Sequence, residues 1–249
     1  MFVCASTECF PGLSLPDACG RLVDLEYTAV EVAIHEQGGV MKPSDVHASP
    51  EAAYERLRQT HRLTIAAFSI DIPGEGDRVY EQFESCCKVA RACKVVALVV
   101  PAAELGTPFN AEIERLQELV RIASLESAVV AVKTQAGCMT QDPDTAAVLC
   151  KHVKGLGITL DPSHFIFGPH QGKPYEKVFP HVQHVHLRDT RKDKFQVQIG
   201  QGEIEYSKLI VGLQRVKYQR ALSVHIPPLE DVDHAGELRK MRLLLDSFL

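Results

Sequence analysis

Along 249 residues, short runs of apolar and β-branched side chains alternate eight times with longer stretches of helical period. No linker, repeat or low-complexity stretch interrupts the alternation. Strands are expected at 2–10, 29–35, 63–72, 95–101, 128–133, 157–161, 182–188 and 221–226. Helices are expected at 15–25, 50–62, 78–93, 110–124, 144–153, 175–179, 207–216 and 233–248. Ser14, Ser49 and Asn110 stand as N-caps, and Pro16 and Pro50 fall in first turns. A helix after every strand predicts a parallel sheet covered on both faces, and the valine-rich run at 95–101 suits such burial. An open doubly wound sheet would carry a glycine fingerprint after the first strand, and GxGxxG is missing. The expectation is an α/β fold, a single (β/α)8 barrel over residues 1–249.

Seven of these strands end on or beside a polar residue: Glu8, His35, Asp71, Lys133, Asp161, Arg188 and His225. Barrel enzymes carry their chemistry at the C-terminal ends of the strands. Strand side chains alternate faces, so parity selects those that can meet. His184, His186 and Arg188 share one face of the seventh strand, Ser223 and His225 one face of the eighth, and Glu31 and His35 the inward face of the second. Lys133 projects with Ala131 and Gln135 from the fifth. A register slip of one residue there would present Thr134 instead. Strands five to eight are consecutive, so Lys133, Asp161, His186 and His225 are expected to converge. His184 lies deeper and reads as packing. Arg188 and Arg191 are suited to an anionic group, although RKDK (191–194) also fits a solvated loop.

Composition narrows the function. With 27 basic and 32 acidic residues the formal charge is −5, which provides no field for nucleic acid or an anionic membrane. No apolar run reaches the ~18 residues of a membrane span, and residues 1–10 lack the pattern of a signal peptide. Eight cysteines lie mostly in apolar periodic segments without CxxC spacing. They read as reduced thiols, Cys86 and Cys87 included, and predict a cytoplasmic setting.

Three stretches in order, GITLDPSHF (157–165), HVHLRDT (184–190) and GQGEIEY (200–206), with VEVAI (30–34), resemble the xylose-isomerase-like superfamily of sugar isomerases and epimerases. The resemblance runs the length of the chain. It implies a divalent ion on a strand-five glutamate, a strand-six aspartate, a strand-seven histidine and a strand-eight glutamate, with the two glutamates as acid and base. Carried over, Asp161 and His186 match two ligands, and His164 matches the histidine that contacts sugar hydroxyls. Lys133 and His225 stand where the glutamates should be.

The resemblance therefore implies a sugar or sugar-acid isomerase or epimerase with an altered site. Lys133 and His225 are the catalytic candidates, and His164, His35 and Arg188 the substrate-binding ones. Asp161, His186 and His225 are the candidate ligands for manganese, zinc or cobalt. A lysine at strand five opposes a cation, so metal occupancy is doubtful, and Lys133 paired with Asp161 could take its place. The expected partner is a small sugar or sugar acid, with no nucleic acid and no membrane; a homo-oligomer is left open. The alternative is a sugar-binding or regulatory barrel without catalysis. A zinc-cluster endonuclease would need more ligands than this mouth offers. Schiff-base chemistry through Lys133 is a further alternative.

Overall fold

In the computed structural model, which describes residues 1–249, eight parallel strands close into one ring in sequence order. They are β1 (Phe2–Ser6), β2 (Ala29–His35), β3 (Thr64–Asp71), β4 (Ala97–Val100), β5 (Val129–Lys133), β6 (Gly157–Leu160), β7 (Val182–Leu187) and β8 (Ala221–Val224). β8 returns to β1 with Cys4 opposite Ser223. Around the ring run α1 (Leu15–Asp24), α2 (Pro43–Ala48), α3 (Pro50–Leu57), α4 (Asp77–Ala92), α5 (Phe109–Leu125), α6 (Pro143–His152), α7 (Ser163–Phe167), α8 (Tyr206–Arg215) and α9 (His234–Asp246). The expected (β/α)8 barrel is the observed fold. No helix is long and apolar enough to cross a membrane.

The two faces of each strand do different work. Val30, Val32 and Ile34, Phe68 and Ile70, and Leu98 and Val100 join one continuous apolar core with the helices. The alternate residues face into the ring, and many are small: Cys4, Ala67, Ala97, Ala131 and Ser223. Barrel interiors are usually packed with bulky branched side chains. Here the small residues leave volume for Glu31, His184 and His186, all buried. All eight cysteines are free thiols, with Cys86 and Cys87 on the core side of α4.

Local chemistry explains where the elements depart from the periodic pattern. β1 stops at Ser6, whose hydroxyl accepts from the Glu8 amide at 3.2 Å and opens a 3-10 turn over Thr7–Cys9. The helix expected at 50–62 ends at Leu57, and a separate helix precedes it. Pro50 cannot extend α2, and Ser49 instead caps α3. After β6 the chain forms α7 at once, and residues 176–181 are a 3-10 helix. α5 starts one residue before Asn110, behind Pro108.

The glycine motif after β7 is structural. Asp189 Oδ2 accepts from the amides of Gly200 and Gly202 at 2.8 and 3.0 Å. A Cβ at position 202 would lie 1.8 Å from Asp189 Oδ1 and 2.7 Å from the Thr190 carbonyl oxygen. Gly202→Ala must break this clamp and is expected to cost about 2 kcal/mol, the scale of overpacking plus a lost charged hydrogen bond. Urea unfolding measures it, and a midpoint equal to that of the parent protein would refute the clamp.

Candidate functional site

Below the mouth, the side chains facing the axis build a hydrogen-bonded pillar. Glu31 on β2 is fully buried and faces β7. His184 Nε2 lies 2.8 Å from its Oε2, and His186 Nε2 lies 2.8 and 3.1 Å from its two oxygens. An ionised carboxylate only accepts, so both imidazoles donate from Nε2. Burial alone would raise Glu31; the two histidines outweigh it and hold the carboxyl well below its ordinary range. Burial pushes His186 down to about 4, so it is a neutral ring with Nδ1 as its acceptor.

Above the pillar is a cavity of about 190 Å³ lined by Lys133, Thr134, Gln135, Thr159, Asp161, His164, His186, Arg188, Phe195 and His225. Lys133, Asp161, His186 and His225, expected to converge, do meet here. His164 and Arg188 join them. Lys133 stands opposite Thr159 in the ladder, and Thr134 instead holds the backbone, its hydroxyl accepting from the Asp161 amide at 2.8 Å. Lys133 Nζ makes no ion pair or hydrogen bond within the protein and is open to a ligand, while the Lys133 backbone carbonyl accepts from the Thr140 hydroxyl at 2.6 Å.

Asp161 is fully engaged. Its Oδ1 accepts from the Ser163 amide at 3.0 Å and from the Ser163 hydroxyl, and its Oδ2 accepts from Arg188 Nη2 at 3.0 Å. Burial would raise its carboxyl, but Arg188, then His164 and Ser163, hold it well below the usual carboxylate range. Arg188, only 6% exposed, also donates from Nη2 to His225 Nδ1 at 2.5 Å and lies 4.6 Å above the centre of the Phe195 ring. The cation beside Asp161 is thus Arg188 rather than Lys133. On its other side, His225 Nε2 comes within 3.0 Å of Glu8 Oε2. The 3-10 turn after β1 delivers Glu8 to this place.

His164 Nδ1 accepts from the Ala136 amide at 3.1 Å, which puts the proton of the neutral ring on Nε2, 3.7 Å from Asp161. Burial pushes His164 down to about 4. His35 lies outside the cavity lining: it bonds the Ser69 hydroxyl at 2.9 Å and faces Glu8 at 3.8 Å. Arg191 is exposed and pairs with Asp193. The sequence marks Glu8 only as a polar strand end, and Phe195 carries no motif signal.

His164 and His186 give stability a pH dependence of definite sign. Their ordinary value is 6.5, and the fold holds both near 4. An unfolded chain takes up protons there that the native protein refuses. Stability is therefore complete above pH 6.5 and falls as pH drops from 6.5 toward 4. Between pH 7 and pH 5 the expected loss is roughly 4 kcal/mol for the pair. Urea midpoints at the two pH values test this, with His164→Gln removing about half of the difference; a flat profile would show that neither ring is held neutral.

The ligand atoms of Asp161, His186 and His225 lie within 4.8 Å of one another, as a shared ion requires. The donor chemistry opposes one. Arg188 Nη2 already bonds two of the three residues. An ion there would sit about 4 Å from a guanidinium, repelled by roughly 8 kcal/mol at an effective dielectric of about 20. The set does not fit a divalent ion while Arg188 keeps this position.

The family model for xylose isomerase-like TIM barrels matches residues 19–242. No curated protein matches in sequence. Solved structures with the same fold include a D-tagatose 3-epimerase-like protein at 20% identity and TM-score 0.71, covering 99% of each chain. A 3-keto-D-glucoside 4-epimerase from E. coli has 14% identity and TM-score 0.74, again covering 99% of each chain. A third, the IOLI protein with a bound zinc atom, has 15% identity and TM-score 0.77, covering 100% of this chain and 99% of that one.

Proposed function

The chain belongs to the xylose isomerase-like TIM barrel family, and from that premise we propose that it moves a proton next to the carbonyl of a small sugar or sugar acid, as an isomerase or epimerase. The observation that carries this reading is the gathering of Lys133, Arg188 and three imidazoles around one cavity at the strand ends. Of the lining side chains only Phe195 is apolar, which suits a polyhydroxylated ligand. The volume is below the ~300–1,000 Å³ of drug-sized sites and takes the reacting end of such a molecule.

Removing a proton beside a carbonyl leaves negative charge on its oxygen, which needs fixed donors. Arg188 supplies the standing positive charge, and His164 Nε2–H donates to a substrate hydroxyl. Lys133 Nζ takes the proton from the carbon, becomes the ammonium that faces the charged oxygen, and returns the proton to complete the exchange. His225 is less free: Arg188 occupies its Nδ1 lone pair, and its Nε2 faces Glu8. It serves as a second proton station only as Glu8 and Arg188 shift with the ligand. No step here uses a metal.

A binding barrel without catalysis is the second reading. Its support is that His164 and His186 are weak bases and that neither strand-five nor strand-eight glutamate is present. Incubation of the protein with ketoses, aldoses and sugar acids in D2O separates the two readings. Protein-dependent loss of the proton signal beside the carbonyl is the expected result. Ligand-induced thermal stabilisation without exchange in any compound would leave the binding barrel.

A further inference from the structure

We propose that Arg188 is the resident cation of this site, its guanidinium doing permanently what a divalent ion does in a metal-loaded barrel, and that it keeps ions off Asp161, His186 and His225. Arg188 would play this part in a catalytic barrel and in a binding barrel alike. Nη2 makes every side-chain hydrogen bond of the guanidinium, and the buried Nε has no partner. One nitrogen, Nη2, reaches Asp161 Oδ2 and His225 Nδ1 together, so a single positive group satisfies two of the three candidate ligands. The Phe195 ring closes its face at 4.6 Å and also contacts the His164 ring, 4.7 Å away between centroids. The Arg188 backbone carbonyl accepts from the Tyr206 hydroxyl at 3.3 Å. Swinging the guanidinium out would strand a buried carboxylate and lose the aromatic contact.

The residues around it fit the same account. Lys133, where a carboxylate would complete an ion's shell, provides no anionic ligand. His186 donates from Nε2 to Glu31, which leaves Nδ1 as its one acceptor. A guanidinium is planar and always charged, so it can stabilise a developing oxyanion without exchange or loss. It cannot, however, accept a substrate oxygen as an inner ligand. The site should therefore bind carbonyl compounds in chelator and gain nothing from added metal.

The test is equilibrium titration with Co(II), read by its absorption and by metal content after dialysis. The parent protein should retain no stoichiometric cobalt. Arg188→Ala should bind one ion per chain with affinity raised at least about 100-fold, and Asp161→Asn in that background should abolish it. Arg188→Met keeps the contact with Phe195 and provides a second variant should the alanine form fail to fold. One cobalt per parent chain, lost in Asp161→Asn alone, would overturn the proposal without any Arg188 variant. Folded Arg188 variants that still bind no ion would overturn it too, because the guanidinium would then not be what excludes metal.

Discussion

Lys133→Met should lower the rate of deuterium exchange beside the substrate carbonyl by about 10²–10⁴-fold, the range for removing a positioned proton-transfer group. Methionine keeps most of the length and volume of lysine, and the ammonium has no partner in the protein to lose. Stability should therefore stay within about 0.5 kcal/mol of the parent. Ligand affinity should fall much less than rate, since Arg188 and His164 still hold the ligand. A purely binding role would weaken affinity and rate together. Exchange that continues at the parental rate in Lys133→Met would remove Lys133 from the chemistry and direct attention to His225 and Glu8.

The largest effect on folding is expected from Glu31→Leu. Leucine fits the volume but leaves the buried Nε2 protons of His184 and His186 without an acceptor. Each orphaned donor costs about 1–3 kcal/mol, so the pair should cost about 4 kcal/mol. Glu31→Gln keeps one carbonyl oxygen for one ring while setting an amide donor against the other, and should cost about half as much. Urea unfolding at pH 7 gives both values. A leucine variant within 1 kcal/mol of the parent would mean that the rings find other partners and that the pillar is not a support.

Some of this site is readable from spacing alone. Asp161 and His164, three apart across a proline turn, and the alternation of His184, His186 and Arg188 along one strand place five side chains by spacing. Lys133 follows from the same parity. What period cannot supply is which of several charges will pair. Arg188 and Lys133 both reach the mouth, and the choice of Asp161 for Arg188 depends on reach, on Phe195 and on the Ser163 hydrogen bonds that hold the carboxylate, all set beyond the strand ends. Glu8 is seen as a strand end, but its position follows from the Ser6 cap that turns the chain. Glu31 is legible as inward-facing. Its bond to residues more than 150 positions away exists only once the ring has closed.

That last bond has a bearing on how the barrel assembles. β2 and β7 lie three places apart around the ring, and Glu31 ties them together through the interior. A nascent chain that has formed only its first four strands holds a carboxylate aimed at an apolar inner surface. The later half holds two imidazoles in the same predicament. Neither half can settle its polar interior alone, so the halves are poor independent folding units, and long-range closure is rewarded late. Pairing across the ring rather than between neighbours makes the two halves answer to each other.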